Sequence, residues 1–175
     1  MKKLMAIYPP GRMYQRGEDR CQIDILASSV SSNRPCNDLG YISAILKQNG
    51  YSVFLRDYQS EKASVEDLLK DFSREKPDVV FMSITNGSIP DDLKTAELLK
   101  NKKPDTVFVL KGSLFFNPST EVLSKITLEN IDYLVGGEIE FIIGDLINAH
   151  FQNKNLLKDI QQADFYFLVK FCLWY

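Results

Sequence analysis

The chain has 175 residues, of which 45% are hydrophobic, 25% charged and 11% aromatic, with a formal net charge of −2. That length suits one domain with a sizeable core, and the near-balanced charge gives no general pull toward nucleic acid or an anionic membrane. No apolar run is long enough for a membrane-spanning helix, and the opening run from Leu4 to Tyr8 is stopped by Pro9-Pro10, too short for a signal-peptide core.

The three cysteines, Cys21, Cys36 and Cys172, are widely spaced and form no CxxC pair. The spacing points to neither a zinc site nor a disulfide framework, and reduced thiols in a cytoplasmic protein are expected.

Taken in chain order, apolar runs rich in β-branched residues alternate with segments of helical period, as in a parallel sheet covered on both faces. Strand one is Leu4 to Tyr8. Helix one begins near Asp38, carries Leu39, Ile42, Ile45 and Leu46 on one face and stops at Asn49-Gly50. Strand two, Tyr51 to Leu55, alternates as an edge strand does. Helix two starts at the cap Ser64 with Asp67 three residues on, and buries Val65, Leu68, Leu69 and Phe72.

Strand three, Val79 to Met82, is continuously apolar and therefore central. Helix three runs from about Pro90 to Lys100 and presents Leu93, Ala96 and Leu99. Strand four is Val107 to Leu110, after which Asn117-Pro118 reads as N-cap and first-turn proline of helix four. Strand five is Tyr133 to Val135. Helix five is expected to carry Ile139, Ile142, Ile143, Leu146 and Ile147 along one face. Five βα units with right-handed crossovers predict a flavodoxin-like, doubly wound α/β fold, its five-stranded parallel sheet ordered 2-1-3-4-5.

In such sheets ligands bind beyond the carboxyl ends of the strands, at the switch point beside strand one. A long segment, Pro9 to about Cys36, follows that strand and holds Arg12, Arg16, Arg20 and Arg34, four of the six arginines. Long connections are often functional and arginine suits phosphate, carboxylate or amide oxygen; a solvated loop balanced by Glu18, Asp19 and Asp24 is the other reading. Strand three ends in Ser83-Ile84-Thr85-Asn86-Gly87-Ser88, strand four in Lys111-Gly112-Ser113 and strand five in Gly136-Gly137-Glu138 followed by Glu140. A glycine at a strand end can serve only a tight turn. Small residues ending three strands on one edge point to a shared ledge bare enough for a broad, flat ligand. On that reading, bulk at Gly112 or Gly136 should weaken ligand binding and leave stability nearly intact.

Several chemistries lack their motifs. Neither GxGxxG nor GxxxxGK[ST] is present, so dinucleotide and P-loop sites are not expected. No acidic pair follows strand one, unlike a phosphorylated receiver domain, and Pro9-Pro10-Gly11 stands where a flavodoxin has its Ser/Thr-rich phosphate turn. The single histidine, His150, ends helix five and reads as a surface residue near a helix C-terminus. It cannot supply a Ser/His/Asp or Cys/His constellation at the strand ends, so no catalytic residue is expected.

The order of Pro9-Pro10, Asn37 to Val53, Pro77 to Thr85, Leu110 to Ser113 and Ile131 to Ile147 resembles the N-terminal cobalamin-binding domain of B12-dependent radical SAM enzymes. That family includes methyltransferases and the anaerobic magnesium-protoporphyrin monomethyl ester cyclase. The run Asp132 to Glu138 with Glu140 is similar to the family's D-hydrophobic-GExE pattern, with Gly137 where arginine is frequent. The resemblance spans about residues 3–150 and implies a corrin ring across the strand ends with its nucleotide tail toward the sheet. It implies cofactor contacts from Pro10, Gly11, Arg12, Ser83, Thr85, Asn86, Lys111, Gly112, Ser113, Gly136, Gly137 and Glu138. It also implies a cobalt without a protein histidine below it, because the Asp-x-His-x-x-Gly motif of other B12 domains is missing after strand one.

The resemblance divides the chain into a cobalamin-binding-like domain, 1–150, and an apolar tail, 151–175. Family members continue into a barrel whose CxxxCxxC motif holds a 4Fe-4S cluster and S-adenosylmethionine. That motif is not in this sequence, so those cofactors and the radical chemistry are expected only of a longer parent enzyme. Phe165 to Tyr175 is apolar or aromatic apart from Lys170, and such a segment needs cover. It can add a strand to this domain, pair two copies as a homodimer, or begin a missing second domain; the truncated chain is the reading adopted. A flavodoxin-like regulatory or interaction module without cofactor is the alternative, and an arginine-loop site for another phosphorylated small molecule is a third.

Overall fold

The computed structural model describes residues 1–12, 35–116, 119–152 and 168–169. The chain-order elements are β1 (Lys3–Tyr8), α1 (Asn37–Gln48), β2 (Ser52–Asp57), α2 (Val65–Glu75), β3 (Val79–Ser83), α3 (Ile89–Lys102), β4 (Val107–Lys111), α4 (Thr120–Ser124), β5 (Tyr133–Val135), α5 (Ile143–Gln152) and β6 (Leu168–Val169). The sheet is ordered β2-β1-β3-β4-β5-β6. The expected parallel order 2-1-3-4-5 is present, in register Met5↔Val80, Val80↔Phe108 and Leu110↔Leu134. What the sequence reading did not settle is β6, which pairs antiparallel with β5 through Val135↔Leu168 and Leu134↔Val169.

Successive residues of a strand face opposite sides of a sheet, and the continuously apolar strands feed two cores. Leu4, Ala6, Val79, Phe81, Val109, Tyr133 and Val135 pack with α1 and α5. Met5, Ile7, Val80, Met82, Phe108, Leu110 and Leu134 pack with α2, α3 and the segment around α4. β3 is buried at every position and β2 at only one, as expected of a central and an edge strand. β2 runs two residues beyond Leu55, to Asp57.

Local stops and starts follow backbone chemistry. Gly50 has φ +83° directly after α1, a left-handed conformation that glycine adopts without cost. Ser64 accepts from the Asp67 N–H, and Asp67 accepts from the Ser64 N–H, a reciprocal cap on α2.

Three expectations need correction or fall elsewhere. Helix five is interrupted: Ile139–Phe141 form a separate 3-10 turn, Ile142 is the joint, and the α-helix starts at Ile143. The apolar period continues across the break because both pieces bury one face, so periodicity alone does not reveal it. His150 is half-buried rather than a simple surface residue; its Nδ1 shares a hydrogen bond of 2.7 Å with the hydroxyl of fully buried Tyr133. Asn117-Pro118, the arginine segment 13–34 and most of the tail lie outside the described residues.

Candidate functional site

The parallel register brings the ends of β1, β3, β4 and β5 side by side, and the backbone ladder extends slightly past the strands. Ile84 N–H donates to Lys111 O at 2.9 Å, and Gly112 N–H donates to Val135 O at 3.1 Å. All twelve predicted contact residues end strands or follow them at this edge. Their surroundings divide them.

At the switch point a polar cluster joins β1, α1, β3, β4 and the turn after β5. Asp38, in the first turn of α1, accepts from the Tyr8 hydroxyl at 2.9 Å and from the Ser83 hydroxyl at 2.7 Å. Lys111 Nζ, at the end of β4, lies 3.9 Å from Asp38 and 3.7 Å from Glu140 Oε1. Glu140 sits on the 3-10 turn after β5, and its other oxygen, Oε2, is buried with no hydrogen-bond partner. Among the described residues it is the one buried side-chain oxygen in that condition. A buried acceptor left without a donor costs roughly 1–3 kcal/mol, so this oxygen marks a place where a donor is wanted. Tyr8 and Asp38 escaped sequence reasoning because an aromatic strand end and an acid in a first helical turn both have ordinary structural explanations.

Other predicted residues are turned inward. Ser83 and Thr85 are buried; Ser83 is engaged by Asp38, and the Thr85 hydroxyl lies 2.9 Å from Ser88 Oγ. Ser88 Oγ also accepts from the Thr85 N–H at 3.1 Å and donates to Asp92 of α3. Burial pushes the Asp92 carboxyl up to about 7, against the opposing Ser88 hydrogen bond, with the negative charge of Asp91 adding to the rise. The hydroxyl-rich turn after β3 is thus a closed cluster on which the protein spends its own donors.

The glycines also differ from the expectation of a bare ledge. A Cβ on Gly136 would lie 2.1 Å from the backbone of Phe115 and Phe116, so the loop after β4 already occupies that space. At Gly112 the nearest atoms are Ile84 Cγ1 at 3.1 Å and Phe115 Cε2 at 3.4 Å. Gly136 is needed for close packing of the protein on itself, against the expectation that bulk there would leave stability nearly intact, whereas at Gly112 a side chain would make tight contact with Ile84.

The open part of the edge is made by the remaining residues. Asn86 is exposed and accepts from Ser113 Oγ at 3.2 Å, tying the β3 and β4 loops together. Gly11, Arg12 and Glu138 are exposed, Gly137 is half-buried, and Pro10 is buried. Three exposed aromatics stand around this edge: Tyr41 near the start of α1, Phe116 after β4 and Phe141 in the turn after β5, exposed by 63%, 48% and 72%. The α1 helix packs against that last turn. Among the described residues no group of His, Cys, Asp and Glu is arranged to hold a metal ion. A separate groove of about 350 Å³ lies between α3 and the segment after α4, lined by Leu93, Lys94 and Ile126 among others, on the helix-covered face.

The sequence model of the B12 binding domain family matches residues 24–146. The chain belongs to that family. No curated protein sequence matches it. Among solved structures, this B12-binding domain is similar to TsrM from Kitasatospora setae, a radical S-adenosylmethionine methyltransferase solved with cobalamin and a 4Fe-4S cluster bound. The TM-score is 0.61 at 16% identity, over 85% of this chain and 24% of that one. It is also similar to OxsB, a cobalamin-dependent S-adenosylmethionine radical enzyme solved with aqua-cobalamin and S-adenosylmethionine bound. There the TM-score is 0.61 at 15% identity, over 87% of this chain and 19% of that one. At such identities the likeness is one of fold, and the B12-binding domain spans about a quarter or less of either enzyme.

Proposed function

We propose that this B12-binding domain holds cobalamin at the carboxyl edge of its sheet, as the cofactor module of a B12-dependent radical S-adenosylmethionine enzyme of methyltransferase or porphyrin-cyclase type. The observation that carries the reading is the polar cluster at the switch point, where Glu140 presents a buried oxygen in need of a donor. It stands within the span that matches the family. The residues fit a broad ligand fringed with carboxamides. Lys111 offers a cationic donor to an amide oxygen, Glu140 accepts from an amide N–H, and Tyr41, Phe116 and Phe141 give apolar surface at the rim.

Bound cobalamin would supply the cobalt chemistry; the residues of this chain bind, orient and partly desolvate it. Catalysis belongs to a second domain carrying the iron–sulfur cluster and S-adenosylmethionine, a proposal supported by the small share of TsrM and OxsB that this domain covers.

The competing reading is a flavodoxin-like regulatory or interaction module without cofactor. It is favoured by the closed turn after β3 and by the loop packed over Gly136. Titration of the purified chain with hydroxocobalamin separates the two. A saturable shift of the corrin absorption bands and co-elution on gel filtration are expected; absence of both would leave the module reading standing.

A further inference from the structure

We infer that Glu140 is a specificity-determining residue that selects a carboxamide, and rejects a carboxylate, on the edge of the corrin it meets. The inference rests on the cobalamin reading and deepens it. Glu140 is held by the turn after β5, whose backbone is fixed by the Ile139 N–H donating to Gly137 O at 3.0 Å and the Ile142 N–H donating to Ile139 O at 3.0 Å. Its side chain is 21% exposed, one oxygen lies 3.7 Å from Lys111 Nζ, and the other is buried without a partner. The nearby hydroxyl donors, Tyr8 and Ser83, are both spent on Asp38.

The charge balance gives the sign. Two carboxylates, Asp38 and Glu140, share one ammonium, Lys111, so the cluster keeps one net negative charge. A ligand group arriving at Glu140 Oε2 must bring an N–H or O–H and must not bring a second negative charge. The carboxamide side chains of a corrin bring two N–H donors and no charge. The carboxylates of an incompletely amidated corrinoid bring neither donor nor neutrality. The site therefore discriminates the finished amidated cofactor from its acid forms.

Cobalamin monocarboxylic acids, made by hydrolysing one peripheral amide at a time, test this without any mutation. Spectral titration of the full chain should show one of these acids binding roughly 10- to 100-fold more weakly than hydroxocobalamin, the loss of one hydrogen bond to a charged acceptor. The other acids should bind nearly as well as the parent. Glu140→Gln, which offers an N–H to a carboxylate, should close most of that gap. Equal binding of every acid to the unaltered chain, or a gap that persists undiminished in Glu140→Gln, overturns the inference and leaves cobalamin binding intact. If hydroxocobalamin itself fails to bind, the cobalamin reading falls and takes this inference with it. Should Glu140→Gln not fold, the acid series on the unaltered chain decides alone.

Discussion

Two turns at the same sheet edge, after β3 and after β5, both open on small residues and differ in what they do with their polar atoms. The first, Ser83 to Ser88, carries hydroxyls that all find partners inside the protein: Ser83 on Asp38, Thr85 on Ser88, Ser88 on Asp92. The second, Gly136 to Phe141, leaves Glu140 Oε2 buried and unpaired and Phe141 exposed. Small polar residues at a strand end are thus ambiguous by composition. A satisfied set stiffens a turn, whereas an unsatisfied member is held ready for something from outside.

The largest effect should come from challenging the packing of the turn after β5 against the loop after β4. Gly136→Val would drive a side chain into the Phe115–Phe116 backbone, where even a Cβ stands 2.1 Å from its nearest atoms. Backbone on both sides cannot yield as a side-chain tip can, so a loss of about 4 kcal/mol or more is expected. Urea unfolding would read it as a large drop in midpoint or as failure to fold. A midpoint near that of the unaltered protein would restore the bare-ledge view and place the loop elsewhere.

This position also shows what was legible in the sequence. The strands were readable because Val79 to Met82 and Val107 to Leu110 are apolar throughout, and a buried strand has no other composition. Ser64 with Asp67, and Asn49-Gly50, were readable because caps and stops are local. Gly136 is expected from the sequence as a cofactor contact, whereas the constraint visible at it lies some twenty residues away in the Phe115 backbone. Glu140 stood in the family-like pattern, yet the missing partner of its oxygen is a fact of three-dimensional packing. The bond between His150 and Tyr133 is hidden for the same reason. Asp38 was read only as a helix start, and its acceptance of both Tyr8 and Ser83 depends on β1 and β3 being neighbours.

The closed turn can be tested through pH. Asp92 is 1% exposed and its carboxyl is pushed up to about 7 by burial. Between an unfolded value near 3.8 and about 7, the folded protein holds this proton more tightly than the unfolded chain. The stabilising contribution is therefore complete below that unfolded value and is lost as pH rises through about 7. The slope is at most about 1.4 kcal/mol per pH unit. Asp92→Asn keeps an acceptor for the Ser88 hydroxyl and cannot ionise. It should match the unaltered protein near pH 4 and exceed it by up to about 4 kcal/mol at pH 8. Parallel pH profiles for the two proteins would show that Asp92 is ionised where it lies and that the turn is less closed than its hydrogen bonds indicate.

The smallest effect on stability belongs to the open turn, and there the comparison is sharpest. Phe141 is 72% exposed, so Phe141→Ala removes little buried contact, and the expected change in stability is within about 0.5 kcal/mol. Exposed aromatic surface beside a polar cluster gains further burial when something flat covers it. Covering part of a phenyl ring is worth on the order of 1 kcal/mol, or about fivefold in affinity. Hydroxocobalamin should accordingly bind Phe141→Ala about fivefold more weakly while the unfolding midpoint stays put. A variant that loses stability instead would mean that Phe141 packs within the domain, and the contrast between a self-satisfied turn and a receptive one would no longer rest on both turns.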